Sequence, residues 1–297
     1  MPYNFEIERI NSEIKRRNAK KVLIQLPEGL KQYAKELMDQ INSNCILSAD
    51  PCFGACDIQT PSEVDLTIHF GHNKFMENEK VIYIETHSDL KIKPIVEKAI
   101  PLLGNTIGLV TTVQHIHKIN EMREILEKNG KKVIIAQSSG RAVKGQVLGC
   151  DASSALNAES DCILFVGSGE FHPLNIAFTT KKKTIQANPY TQEVKEMSSE
   201  KWEKEKILRI EKARDSETFG IVYSEKPGQK NLALAEALKS ISRNSYLIKL
   251  DFISPENLDY LPFDAFVITA CPRIVLDDWK NYKKPILLPE EFKKLLA

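Results

Sequence analysis

Ser48–Ile58 reads SADPCFGACDI. It holds two of the six cysteines, Cys52 and Cys56, in a turn-rich loop that follows the short apolar run Cys45–Leu47. Gly54 and Ala55 keep the backbone beside Cys56 clear of bulk, so a large group can approach it. Two further cysteines sit in loops of the same kind. Cys150 closes GQVLGC, and Cys271 opens CPRIV directly after the apolar run Ala265–Ala270. If the apolar runs are strands of parallel sheets, these loops lie at strand ends, where α/β proteins gather their ligands.

Working outward, the chain alternates short apolar runs with amphipathic stretches. Residues 4–19 carry Phe5, Ile7, Ile10 and Ile14 at helical spacing. Strands are expected at Val22–Leu26, Cys45–Leu47, Asp65–Phe70 and Val81–Ile84, with a helix over Leu30–Ile41. The pattern restarts with a helix at Ile92–Leu103. Strands are then expected at Thr106–Thr111, Val133–Ala136, Cys162–Val166 and Thr184–Ala187, with a helix over Lys118–Asn129 that Gly130 terminates. It restarts again with a charged helix at Ser199–Ala213. The strands of this part are expected at Phe219–Tyr223, Tyr246–Leu250, Ala265–Thr269 and Pro285–Leu288, with helices at Asn231–Ser240 and Pro289–Leu296. The charged stretch Glu193–Lys206 reads as solvent-facing helix surface. Short apolar runs of this kind suit a parallel sheet covered on both faces.

The three parts can be laid over one another. VDLTIHFG, SDCILFVGSG and FDAFVITACP each set an acidic residue just before an apolar strand, while KVIYIE, KKTIQA and KKPILL each begin with lysine. One large doubly wound domain would show the same alternation. Three small α/β repeats explain the recurring order better, with residues 1–90, 91–192 and 193–297 as the domains and one loop cysteine in each.

Composition bounds the function. The 297 residues are 42% hydrophobic and 27% charged with a net charge of +1, a globular balance that draws the chain toward neither membrane nor nucleic acid. No run of about 18 apolar residues occurs, so no membrane helix is expected. The opening MPYNFEIERINSEIKRRNAKK lacks the apolar core of a signal peptide, and a cytoplasmic location is expected. In a reducing compartment six cysteines are buried, catalytic or metal-bound rather than paired. Lys181–Lys183 reads as a solvated turn.

Cys56, Cys150 and Cys271 lie 94 and 121 residues apart. No close cysteine pair joins them, as a structural zinc knuckle would need. Three scattered loop thiols suit a cubane iron–sulfur cluster whose fourth iron stays open to a substrate. Cys45 and Cys162 sit in apolar runs and read as core residues. Cys52 is compatible with a ligand, a spare thiol or a filler. On the same rim stand Gln25, Glu28, His69, His72, Glu85–His87, Ser138–Arg141, Gly167–His172 and Arg273. GSGEFH is glycine-rich enough to meet an anion, and Arg141 or Arg273 could grip a carboxylate with two parallel bonds. His69, His72 and His172 read first as satisfied loop histidines.

SADPCFGACDI, VDLTIHFGH, GQVLGCDAS, VGSGEFHP and ITACPRIVLDD, taken in order, resemble the diphthamide-biosynthesis enzyme family in its archaeal form. The resemblance covers nearly the whole chain. It implies three similar α/β domains with parallel sheets, in a pseudo-threefold arrangement around a central cluster site, in a homodimer. It implies a [4Fe–4S] cluster held by Cys56, Cys150 and Cys271, with Cys52 outside the ligand positions. It further implies a non-conventional radical S-adenosylmethionine transferase. The 3-amino-3-carboxypropyl group would pass to C2 of a histidine imidazole in translation elongation factor 2, with an electron donor as partner to reduce the cluster and methylthioadenosine as the other product. Arg141, Glu170, His172 and Arg273 are the candidates for holding S-adenosylmethionine or the target loop. Neither membrane nor direct nucleic-acid contact is implied.

Two rivals remain at this stage. A quinolinate-synthase-like enzyme also draws one cluster cysteine from each of three domains and uses the open iron as a Lewis acid, but CPRI and GAC suit it less well. A non-catalytic accessory subunit would need fewer than the three matched cysteines present here.

Overall fold

Apolar runs without a polar face become strands buried on both sides, and the chain supplies three sets of them. The computed structural model describes residues 2–297, which divide into a unit ending at Met197 and a second unit, Ser198–Ala297. The first unit opens with β1 (Tyr3–Asn4), then β2 (Lys21–Gln25), β3 (Asn44–Ser48), β4 (Leu66–Phe70), β5 (Val81–Ile84) and β6 (His87–Ser88). Strands β3-β2-β4-β5 form an all-parallel sheet, while β1 and β6 pair antiparallel outside it. The same unit continues with β7 (Thr106–Thr111), β8 (Lys132–Ile134), β9 (Cys162–Val166), β10 (Lys183–Asn188) and β11 (Glu193–Met197). These form a sheet in the order β8-β7-β9-β10-β11, parallel except for the β10–β11 hairpin. The second unit holds β12 (Phe219–Tyr223), β13 (Ser245–Lys249), β14 (Ala265–Ile268) and β15 (Ile286–Leu287), all parallel in the order β13-β12-β14-β15. The fold is thus α/β with several parallel sheets, as the sequence reading expects.

One side chain sets the register in each sheet. Asp65, just before β4, accepts the backbone N–H groups of Lys20 and Lys21 at 2.8 and 2.9 Å, at the entrance to β2. Asp161, just before β9, accepts from Thr106 N–H at 3.0 Å, at the entrance to β7. Asp264, just before β14, accepts from Thr218 N–H at 2.9 Å and from its hydroxyl at 2.7 Å, at the entrance to β12. These are the acidic residues that recur in the sequence. Each clasps the first and third strands of its sheet, and the donors hold the Asp65 and Asp264 carboxyls below the usual aspartate range.

Several elements differ from expectation. Glu193–Met197 is an edge strand rather than part of a charged helix, and the helix begins at Glu200. Its charged face is also less exposed than expected, because Trp202, Glu205 and Arg209 are buried. The stretch after GSGE is helical over Phe171–Thr180, so His172 lies in a first helical turn rather than in a loop. The helix expected at Leu30–Ile41 starts as a 3-10 turn over Glu28–Tyr33 and becomes α-helical only at Ala34–Gln40. Cys162 is fully buried as expected, whereas Cys45 packs on the first core only half-buried.

The second unit contains a buried ion pair. Arg209, on the helix Glu200–Lys212, gives Nη2 and Nε to Glu291 at 2.5 and 3.1 Å, both side chains being about 1% exposed or less. Glu291 also accepts the Leu288 N–H at 3.1 Å and so caps the last helix, Pro289–Leu296. Glu291→Ala would strand the arginine charge. We expect it to cost about 3–5 kcal/mol, measured by urea unfolding of the full chain; a loss below about 1 kcal/mol would contradict this assignment.

In the first unit His115 is 1% exposed and its ring meets Tyr190 edge-on at 5.7 Å. Burial above all, then the charge of Lys118, lowers its pKa from 6.5 to about 4. The folded chain therefore resists a proton that the unfolded chain accepts below pH 6.5. Stability is expected to be full above that pH and to fall as pH drops from about 6.5 toward 4. Denaturant curves of the wild type and His115→Gln over this range check it: the variant should show the shallower fall.

Candidate functional site

Parallel pairing sends each strand-end loop to the carboxyl edge of its sheet, and the loop cysteines follow. Cys56 sits in a tight turn beyond β3, closed by the Asp57 N–H to Gly54 O bond of 3.1 Å. A Cβ on Gly54 would lie only 3.2 Å from the Cys56 sulfur, so glycine keeps the thiol uncrowded. Cys150 stands in a hairpin turn beyond β8, where Leu148 and Asp151 exchange backbone bonds of 2.9 and 3.2 Å. Asp151 fixes that turn, accepting from Ser138 Oγ at 2.7 Å and Ser153 N–H at 2.8 Å. Burial works to raise the Asp151 pKa, but the bonds from Ser153 and Ser138 outweigh it and hold the carboxyl below its usual range.

Within the first unit a chain of contacts joins these two turns. Ala55 packs with Val81 and Tyr83, and Ile58 and Phe75 join the same small cluster. Arg141 lies over the Phe75 ring, with Cζ 4.1 Å from its centroid. Burial first, and then the neighbouring Cys56 and Asp151, push the Cys150 thiol up, and the nearby Arg141 charge offsets part of this. Gln146 donates to Asn73, and Gln114 Nε2 donates to Gly71 O at 2.9 Å, so the loop after β4 is tied to the second sheet at two more points. The fold therefore brings Cys56, Cys150 and Arg141 into one neighbourhood. A Cys150 thiol whose ionisation the neighbouring Cys56 opposes suits a positively charged metal centre that relieves the repulsion.

The other sequence candidates have different surroundings. Glu170 pairs with Lys195 and lines a cleft of about 160 Å³ with Gly169, Gln186, Asn188 and Glu193. Gln186 holds this glycine loop by donating to Gly167 O and Gly169 O at 3.2 and 2.7 Å. The His172 ring stacks on Phe165 at 5.9 Å, and its helix reaches the Cys150 turn through Asn175 Nδ2 to Gly149 O at 3.4 Å. In the second unit Cys271 follows β14 and caps the helix Pro272–Asp278. Arg273 on that helix gives Nε and Nη2 to Asp277 at 2.9 and 2.8 Å.

Sequence reading missed Phe75 and the pairing of Asn73 with Gln146. The only signal for Phe75 was a single aromatic in the polar loop HNKFMENEK.

Parallel sheets that present thiols on strand-end loops beside an arginine define an α/β protein that offers sulfur donors to a bound guest. Known proteins narrow this class. Residues 26–297 match the family described as diphthamide synthesis protein. The chain is 36% identical over 308 residues to the 2-(3-amino-3-carboxypropyl)histidine synthase of Pyrococcus horikoshii, across 97% of this chain and 89% of the relative. It is 35% identical over 329 residues to the synthase of the same name from Methanocaldococcus jannaschii, across 99% and 90%. The crystal structure of Dph2 from Pyrococcus horikoshii with a 4Fe-4S cluster matches with a TM-score of 0.89 at 35% identity, over 99% of this chain and 91% of that one. The chain belongs to the diphthamide synthesis protein family.

Proposed function

We propose that this transferase of diphthamide synthesis moves the 3-amino-3-carboxypropyl group of S-adenosylmethionine to C2 of a histidine imidazole in elongation factor 2. The observation that carries the reading is the near-complete match both to a cluster-bearing Dph2 structure and to a relative whose name states the product. Cys56, Cys150 and Cys271 would hold a [4Fe–4S] cluster, one thiol from each of the repeats 1–90, 91–192 and 193–297. The donor set fits, since all three cysteines follow parallel strands and the Cys56 and Cys150 thiols already share one electrostatic neighbourhood. When bound, such a cluster supplies the single electron that opens a carbon–sulfur bond of the sulfonium.

The chain's own residues orient and select. Arg141 is proposed to receive the substrate carboxylate; its contact with Phe75 uses the face of the guanidinium, which supports a two-pronged bond through its N–H donors. The Ser138 hydroxyl and the Ser153 N–H hold Asp151, and through it the Cys150 turn, in a fixed shape. Glu170, His172 and Arg273 are proposed to contact S-adenosylmethionine or the target loop. We further propose that the enzyme works in the cytoplasm as a homodimer with an external electron donor. Among the described residues no helix is long and apolar enough to cross a membrane.

The test is anaerobic. The chain is reconstituted with iron and sulfide, reduced with dithionite and given S-adenosylmethionine; the nucleoside product is then analysed. Methylthioadenosine is expected, and 5′-deoxyadenosine would overturn the proposed bond cleavage. Cys150→Ala is expected to lower bound iron and abolish product, so unchanged iron would remove Cys150 from the ligand set. Arg141→Ala should weaken S-adenosylmethionine binding roughly 10- to 100-fold, as loss of a charged hydrogen-bond donor does, with the cluster absorbance intact. Unchanged affinity would assign the carboxylate to another residue.

A further inference from the structure

Three donor side chains converge beside the Cys56 turn without belonging to the proposed cluster set. Cys52 is 2% exposed, His69 at the end of β4 is fully buried, and His72 is half-buried. One ligand atom from each lies within 4.8 Å of the others. We propose that Cys52, His69 and His72 form a mononuclear site for a divalent cation of the zinc type, which ties the Cys56 loop to the end of β4.

Local hydrogen bonding prepares the donors. Gln25 Nε2 donates to the Asp57 carbonyl at 2.7 Å, and Gln25 Oε1 accepts from Gln59 N–H at 3.4 Å, so the amide has one orientation. Oε1 therefore meets His69 Nδ1 at 2.9 Å as an acceptor, and the proton must sit on Nδ1. That leaves His69 Nε2 with a bare lone pair. An outer amide or carbonyl oxygen fixing a histidine in this way is the usual partner of a metal-bound imidazole. His69 Nε2 faces His72 Nδ1 at 3.0 Å. Two nitrogens on a tetrahedral zinc ion at about 2.0–2.1 Å stand roughly 3.3 Å apart. The rings need to part by a few tenths of an ångström, and His72 needs only to move its proton to its other nitrogen.

The charges agree with this geometry. Burial keeps both imidazoles neutral near pH 7, the form that ligates; the His69 pKa falls to about 3 and that of His72 to about 4. Burial first, and then the nearby Asp57 carboxylate, raise the Cys52 thiol to about 12. A dication would replace that thiol proton and be balanced by the thiolate and by Asp57. The ligand chemistry, one thiolate and two imidazoles, favours zinc over the oxygen-seeking magnesium and calcium. A three-ligand set leaves a fourth position for water.

The probe is cobalt(II), which reports tetrahedral thiolate sites by colour. It is titrated anaerobically into the full chain carrying Cys56→Ser, Cys150→Ser and Cys271→Ser, so that no proposed cluster ligand remains. One cobalt per chain is expected, with a sulfur-to-cobalt absorption band that disappears on adding Cys52→Ser. Gln25→Ala should weaken binding roughly 10- to 100-fold while keeping the band, as loss of an outer partner does. If circular dichroism shows that Cys52→Ser is misfolded, His72→Ala decides: lost binding supports the site and unchanged binding overturns it. No uptake, or a band that survives Cys52→Ser in a folded chain, also overturns it. The result is independent of whether the cluster assignment holds.

Discussion

An aspartate clasp between the first and third strands governs each sheet. Parallel strands need long return connections, so their register cannot be set by a tight turn. Asp65, Asp161 and Asp264 set it instead by accepting amides at the entrance of the first strand. Register matters because a slip of one residue would turn every buried side chain to the opposite face. It also fixes where each strand ends, and hence where the loop beyond it departs. Cys271 follows the clasped strand β14, while Cys56 and Cys150 follow β3 and β8, which pair directly with the clasped strands β2 and β7.

From those ends the site is built by contacts between loops. Phe75 links the Cys56 turn to Arg141, whose charge acts on Cys150. The ring works in two ways, filling a small apolar cluster on one side and steadying a cation on the other. Gln25 has a comparable double role, since one amide holds the Asp57 carbonyl and fixes the His69 tautomer.

The sequence was most legible where burial dictates the pattern. Val81–Ile84, Thr106–Thr111, Cys162–Val166 and Phe219–Tyr223 are largely apolar runs, and all four are strands over those very residues. β11 was hidden because Glu193, Lys195 and Glu196 give it a polar surface, and only its pairing with β10 makes it a strand. The helix Phe171–Thr180 was hidden by Pro173, which a first turn tolerates but which reads as a breaker. The loop cysteines were legible because their residue type and position carry the chemistry. The Phe75 contacts were not, because they join residues far apart in sequence, and no local spacing encodes them.

The β10–β11 hairpin also bears on how copies of this chain meet. By turning back antiparallel, β11 closes one side of the second sheet with a strand bearing Glu193, Lys195 and Glu196. Another chain that tried to extend the sheet there would have to seat its backbone among these charges. Such an edge discourages fibre-like growth through strand addition. Pairing of two copies through this edge of the second sheet is therefore disfavoured.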